Sequence, residues 1–223
     1  MIRAVVFDLD GVLIDSEQVW DEVREELARE RGGRWSEHAQ REMMGMSSRE
    51  WSRYMHEVIG VPEGPEAINR EVVERMLDRY GGGPPWLPGA VEAVTRLSKL
   101  WDLGLASSSN REVIDAVLGA GGIAGLFEAT ISSEEVARGK PAPDVYLEVA
   151  RRLGVEPAEC AAVEDSRNGI RSAKAAGMRC IAVPNVHYPP GDAVAEADAV
   201  VASIGELTAE ILDPEVSSEA ARR

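Results

Sequence analysis

Two aspartates, Asp8 and Asp10, stand one residue apart at the end of an apolar run in VVFDLDGVLIDSE. A carboxylate is costly to bury unless it is paired or holds a cation, so acids in that place need a task. Three further stretches carry polar groups of the same promise: Ser107, Ser108 and Ser109 in ASSSN, Lys140 in GKPAPD, and Glu164 with Asp165 in VEDSRNG. Carboxylates converging at one place would repel one another unless a cation joined them, and oxygen-only ligands suit hard Mg²⁺ rather than zinc. Lysine occurs only at positions 99, 140 and 174, and Lys140 alone sits in a loop, between Gly139 and Pro141. A magnesium ion, that lysine, a serine hydroxyl and loop amides together make a pocket for a dianionic phosphoryl group.

The elements that must bring these groups together are readable from periodicity. Short β-branched or apolar runs recur at AVVF (4–7), LGLAS (103–107), ATIS (129–132), CAAVE (160–164), CIAV (180–183) and DAVV (198–201), separated by helical patterns. Strand alternating with helix predicts a three-layer, doubly wound α/β fold, Rossmann-like, with a parallel sheet covered on both faces. Pro88-Gly89 opens a helix running to about Leu100, Asn110 caps the next, and Pro143 stands where a first-turn proline is tolerated. Ligands of such sheets bind outside the carboxyl ends of the strands, where every polar group named above falls.

Residues 15–86 break the alternation. They contain no convincing strand and several helical stretches, such as Val19, Val23 and Leu27 at i, i+4 and i+8. We read an inserted all-helical cap over 15–86 and a core domain formed by 1–14 and 87–223. Asp15 as N-cap with Gln18 three residues on is a capping-box pattern, and GGGPP (81–85) is a flexible, then stiff, return linker. The tail after Pro214 has the composition of a disordered end.

At 223 residues and 44% hydrophobic content the chain can bury a full core. Its formal charge of −15, from 24 basic and 39 acidic residues, opposes docking on a phosphate backbone or an anionic membrane, so neither nucleic acid nor membrane is expected as a partner. Apolar stretches fall short of the ~20 residues of a membrane span and no signal-peptide core precedes Asp8, which makes the cytoplasm the expected location. Cys160 and Cys180 lack CxxC spacing and border apolar runs, as buried reduced thiols would.

DLDGVLIDSE, ASSSN, GKPAPD and VEDSRNG, in this order and spacing, resemble the four motifs of the haloacid dehalogenase (HAD) superfamily, and nearly the whole chain resembles its magnesium-dependent phosphatase and β-phosphoglucomutase branch. The resemblance implies that Asp8 is the nucleophile forming an aspartyl-phosphate, and that Asp10 protonates the leaving alcohol and then activates water. It also implies that Mg²⁺ is held by the Asp8 side chain, the Asp10 carbonyl and Asp165, with Glu164 nearby, and that Ser107 and Lys140 bind the phosphoryl oxygens. Glu164 has a second reading as a group behind the metal ligands. Ser108, Ser109 and Asn110 are substrate-side candidates, though Ser109 or Asn110 could equally only cap a helix.

Within the cap, MMGMSSREW (43–51) resembles the loop that reads substrate in this branch, which makes Gly45, Met46 and Arg49 specificity candidates. Arg49 has a surface ion pair as its alternative. Trp20 either faces the catalytic gap or packs in the cap, whereas Trp35 and Trp86 read as packing. β-Phosphoglucomutases usually carry a histidine where this chain has Trp20, and a cap lysine; no lysine occurs between Asp15 and Trp86. The resemblance therefore implies a phosphatase of small sugar or sugar-alcohol phosphates, with a β-phosphoglucomutase or a phosphoglycolate-type phosphatase as alternatives. The expected partner is a small phosphorylated metabolite, and the expected state a monomer.

Overall fold

A computed structural model describes residues 1–215 apart from Glu37, Met44, Gly45 and Val186, and of Gln40 the backbone only. The predicted site residue Gly45 and most of the predicted disordered tail thus lie outside the described residues. Six parallel strands form one sheet in the order β3-β2-β1-β4-β5-β6: β1 (Ala4–Phe7), β2 (Asp102–Ser107), β3 (Ala129–Ser132), β4 (Cys160–Glu164), β5 (Arg179–Ala182) and β6 (Ala199–Val200). This is the strand order of a doubly wound sheet, with its reversal between β1 and β4.

The period-2 alternation of each strand divides the core in two. Val5, Phe7, Leu103, Leu105, Ala161, Val163 and Ile181 face one layer, and Ala4, Val6, Ala106, Cys160, Ala162, Cys180 and Ala182 face the other. The second face is lined largely by small residues, which lets α7 (Asp144–Leu153) and α8 (Arg167–Ala175) pack close through Val145, Tyr146, Val149, Ile170 and Ala173. The first face carries α5 (Ala90–Leu97) and α6 (Arg111–Ala120). Both cysteines are buried free thiols.

Between β1 and α5 the described residues hold α1 (Glu17–Glu30), α2 (Ala39–Met43), α3 (Ser48–Tyr54) with a wider turn at Met55–Ile59, and α4 (Pro65–Tyr80). Trp20, Val23, Leu27, Trp51, Met55, Ile68, Val72 and Met76 fill the space among them. The chain leaves and re-enters the sheet at adjacent points. The Asp15 amide bonds the Pro85 carbonyl at 2.8 Å, and the Leu87 amide bonds the Leu13 carbonyl at 3.0 Å.

Two local expectations are corrected. Ser16, not Asp15, is the N-cap residue of α1, and no side-chain capping bond forms there. The reason is that the Ser16 hydroxyl is turned to Asp10. The helix opened by Pro88-Gly89 ends at Leu97 rather than about Leu100. Among the described residues no helix is long and apolar enough to cross a membrane.

Candidate active site

Asp8 directly follows β1 and is buried, and its amide extends the ladder to the Val163 carbonyl at 3.0 Å. The neighbouring strand β4 ends on Glu164, and Asp165 follows it, both buried. The loop after β3 brings Lys140 between them. Its Nζ donates to Asp8 Oδ1 at 2.9 Å and to Glu164 Oε1 at 2.5 Å. Tyr146, from the first turns of α7, donates its hydroxyl to the same Glu164 oxygen at 2.7 Å, and its ring lies 5.2 Å from the ammonium. Glu164 Oε2 accepts from the Asp165 amide and the Ser166 hydroxyl, both at 3.2 Å. The glutamate can sit there because a Cβ on Gly169 in α8 would fall 1.9 Å from that oxygen.

Asp8, Glu164 and Asp165 place carboxylate oxygens within 4.8 Å of one another. Among the described residues Lys140 is the cation bonded to this cluster, through Asp8 and Glu164. Burial, then Glu164 and Asp10, push the Asp8 carboxyl up to about 8 although Lys140 pulls it down. Burial, then Glu164 and Asp8, hold Asp165 well above the usual carboxylate range. Asp165 Oδ2 is buried with no hydrogen-bond partner among the described residues. An orphaned oxygen in an oxygen-only cluster short of positive charge fits a hard divalent cation. Glu164 has both oxygens engaged, so Asp8 and Asp165 are the carboxylates left to bind one. Gly11 makes the approach possible: its φ is +76°, and a Cβ there would stand 1.9 Å from Asp165 Oδ2.

Asp10 takes its hydrogen bonds from both sides of the cleft. Ser109 of the core donates to Oδ2 at 2.6 Å, and Ser107 reaches the same oxygen at 3.5 Å. Ser16, at the start of the helical insertion, donates to Oδ1 at 2.5 Å, and Trp20 Nε1 donates to it at 3.0 Å. Asp10 is therefore aimed by the helical insertion as well as by the sheet.

The cavity between these groups encloses about 50 Å³, lined by Asp8, Asp10, Lys140 and Asp165 below and by Trp20, Arg24, Met46 and Trp51 above.

Most sequence-predicted residues meet here, including Ser108 and Ser109 on its wall. Ser107 is wholly buried and accepts a bond from the Ser109 amide at 3.0 Å, holding the serine turn. Ser107 and Glu164 stand behind the cavity wall rather than on it, and Arg49 and Asn110 are not brought to it. Arg49 is exposed and lines a separate depression with Arg53 and Asn69. Asn110 is buried and donates to Asn69 at 3.1 Å and Glu134 at 2.8 Å, so it ties core to insertion. It stands at the N-cap of α6 without a side-chain capping bond. Sequence reasoning missed Glu17, Arg24, Trp51 and Tyr146. Glu17, Trp20 and Arg24, at i, i+3 and i+7, share one face of α1 and could have been found from that spacing.

Residues 2–177 match the family model described as haloacid dehalogenase-like hydrolase. The chain is 36% identical over 217 residues to hexitol phosphatase B of Escherichia coli K12, covering 95% of this chain and 96% of that one. It is 32% identical to the phosphorylated carbohydrates phosphatase of Thermotoga maritima, covering 89% and 93%. Among solved structures, CbbY of Rhodobacter sphaeroides, a variant in complex with xylulose-(1,5)-bisphosphate, superposes with a TM-score of 0.86 at 29% identity, covering 96% of this chain and 100% of that one.

Proposed function

We propose that this chain, which belongs to the haloacid dehalogenase-like hydrolase family and is a phosphoric monoester hydrolase, is a Mg²⁺-dependent phosphatase of small sugar or sugar-alcohol phosphates acting through an aspartyl-phosphate. The observation that carries the reading is the pairing of two aspartates with different surroundings at one cavity. Asp8 is buried against Lys140 and the acid cluster, and Asp10 accepts from the neutral donors Ser16, Trp20 and Ser109.

Asp8 Oδ attacks phosphorus in line with the ester oxygen. Lys140, fixed by Glu164 and Tyr146, neutralises part of the repulsion between Asp8 and the incoming dianion and holds a phosphoryl oxygen. Asp10 gives its proton to the leaving alkoxide, and the resulting carboxylate then takes a proton from the water that opens the aspartyl-phosphate. Asp8 and Asp165 would hold Mg²⁺ together with the Asp10 carbonyl; bound there, the ion supplies Lewis-acid charge to the phosphoryl oxygens. Ser107 and Ser109 shape the turn whose amides face the phosphoryl group. Residues 15–86 act as the cap, opening for substrate about the crossing at 13–15 and 85–87 and excluding water when shut.

The Trp20 indole at Asp10 favours hydrolysis over intramolecular transfer, because in the mutases of this branch a histidine usually stands there. The partner is a small phosphorylated metabolite, the location cytoplasmic and the chain monomeric. Mg²⁺-dependent release of inorganic phosphate from hexose, hexitol, pentose, glycolate and glycerol phosphates, with Asp8→Asn as the blank, tests the reading. Release from the sugar and hexitol esters is expected. Silence across the panel, with conversion of β-glucose 1-phosphate to glucose 6-phosphate, would make the mutase the correct reading.

A further inference from the structure

The cap wall of the cavity holds two charged residues that the proposed reaction does not use, Glu17 and Arg24, seven residues apart on α1. Arg24 is the more unusual. It is only 6% exposed, and its guanidinium carbon lies 4.6 Å from the Trp20 ring centroid and 4.7 Å from that of Trp51. The two centroids are 6.2 Å apart, so the guanidinium sits in the angle between the rings rather than between parallel faces. That seat fixes the fork, and within it Nε is buried with no hydrogen-bond partner among the described residues. Side chains on a helix lean toward its N-terminus, which carries Arg24 back along the wall toward Trp20 and Glu17.

Glu17 supplies the complementary chemistry. It lines the same cavity as Arg24 and Asp165. The wall so formed offers hydrogen-bond donors from Arg24, acceptors from Glu17 and the indole surfaces of Trp20 and Trp51. A chain of hydroxyls can satisfy all three, because each hydroxyl both donates and accepts and its C–H faces pack on aromatic rings. A second anion cannot: it would gain Arg24 but meet Glu17, with Asp10 and Asp165 on the same cavity's lining.

We propose that Glu17 and Arg24 form a donor and acceptor pair in the cap wall that selects an uncharged polyhydroxy leaving group and rejects one carrying a second carboxylate or phosphate. This deepens the sugar-phosphatase reading above and rests on it.

The test compares glucitol 6-phosphate with 6-phosphogluconate, which differ only in a hydroxymethyl or carboxylate end, using p-nitrophenyl phosphate as a reference ester and the full-length enzyme with Mg²⁺. The wild type should favour the glucitol ester in kcat/KM by at least tenfold. Glu17→Gln removes the repelling charge and should narrow that ratio at least threefold. Arg24→Met should lose at least fivefold in kcat/KM on the glucitol ester, mainly through KM, and lose less on p-nitrophenyl phosphate; Arg24→Lys should recover part of the loss. A wild type that prefers the carboxylate ester, an unchanged ratio in Glu17→Gln, or an equal loss on every ester in Arg24→Met would overturn the inference. The first two outcomes are decisive even if Arg24→Met fails to fold. Activity on p-nitrophenyl phosphate with none on either six-carbon ester would also overturn it. No release from any of the three esters would instead refute the phosphatase reading beneath it.

Discussion

Trp20→Phe isolates the bond by which the cap reaches the proposed acid and base. Phenylalanine keeps an aromatic ring beside Trp51 and Arg24 but deletes the indole N–H that donates to Asp10 Oδ1 at 3.0 Å. A hydrogen bond to a charged acceptor contributes about 1.5–3 kcal/mol. Asp10 keeps Ser16 on the same oxygen and Ser109 on the other, so the low end applies. A loss of about 1.5 kcal/mol corresponds to roughly a tenfold fall in rate at ~1.4 kcal/mol per decade. The fall should lie in kcat, since a misaimed Asp10 slows proton transfer without removing a contact to the bound phosphoryl group. Initial rates of phosphate release over a range of ester concentrations measure both constants, and a thermal melt of the same protein shows that it is folded. A folded Trp20→Phe enzyme with kcat within twofold of wild type would refute the idea that the cap aims Asp10.

Lys140→Met removes the cation that bonds Asp8 and Glu164, and should cost about 2.7–4 kcal/mol of transition-state stabilisation, or 10²–10³ in kcat; a loss under twofold in steady-state assays would dismiss that role. Gly11→Ala forces a methyl group into Asp165 Oδ2 at a φ of +76°, so isothermal titration with Mg²⁺ should show affinity weakened at least tenfold, and unchanged affinity would count against Asp165 as a ligand. Burial alone would raise Glu135 and Asp198, but the Ser132 amide with Arg111 and Arg152, and Lys174 with the Cys180 amide, hold both below their ordinary values. Carboxyls depressed in the folded state stabilise it above their unfolded pKa of about 4 and cease to do so as pH falls through the folded value. Relative to Glu135→Gln, the wild type should therefore lose more Tm between about pH 6 and pH 3; an equal or smaller loss in the wild type would contradict the sign.

What the sequence disclosed follows from what its signals encode. The six strands were legible because each is a short β-branched or apolar run bounded by turn residues, and the parallel sheet followed from the helices between them. Asp8, Asp10, Lys140 and Asp165 were legible because each stands at the end of such a run or in a short motif. Ser16 was missed as an N-cap because local spacing cannot see that Asp10 competes for its hydroxyl. Tyr146 was invisible for a related reason: it is one apolar-face residue of α7, and only the packing of α7 on the sheet turns its hydroxyl to Glu164. Of the two readings of Arg49 the surface one fits its exposed side chain, because motif likeness locates a loop but not which way its side chains point. Glu17 and Arg24 were legible in principle from the helix face they share with Trp20, yet charged residues at helical spacing are usually solvated, and nothing in the sequence marked these two as walling a cavity.

The central claim is that Asp8 carries the phosphoryl group. Wild-type enzyme should be mixed with a turnover substrate and Mg²⁺, quenched in acid within one turnover, digested, and read by peptide mass spectrometry. The account predicts one phosphoryl mass on the peptide containing Asp8, present only during turnover and absent from Asp8→Asn. Phosphate release proceeding at the wild-type rate with that peptide never modified, or with the label on another residue, would contradict it.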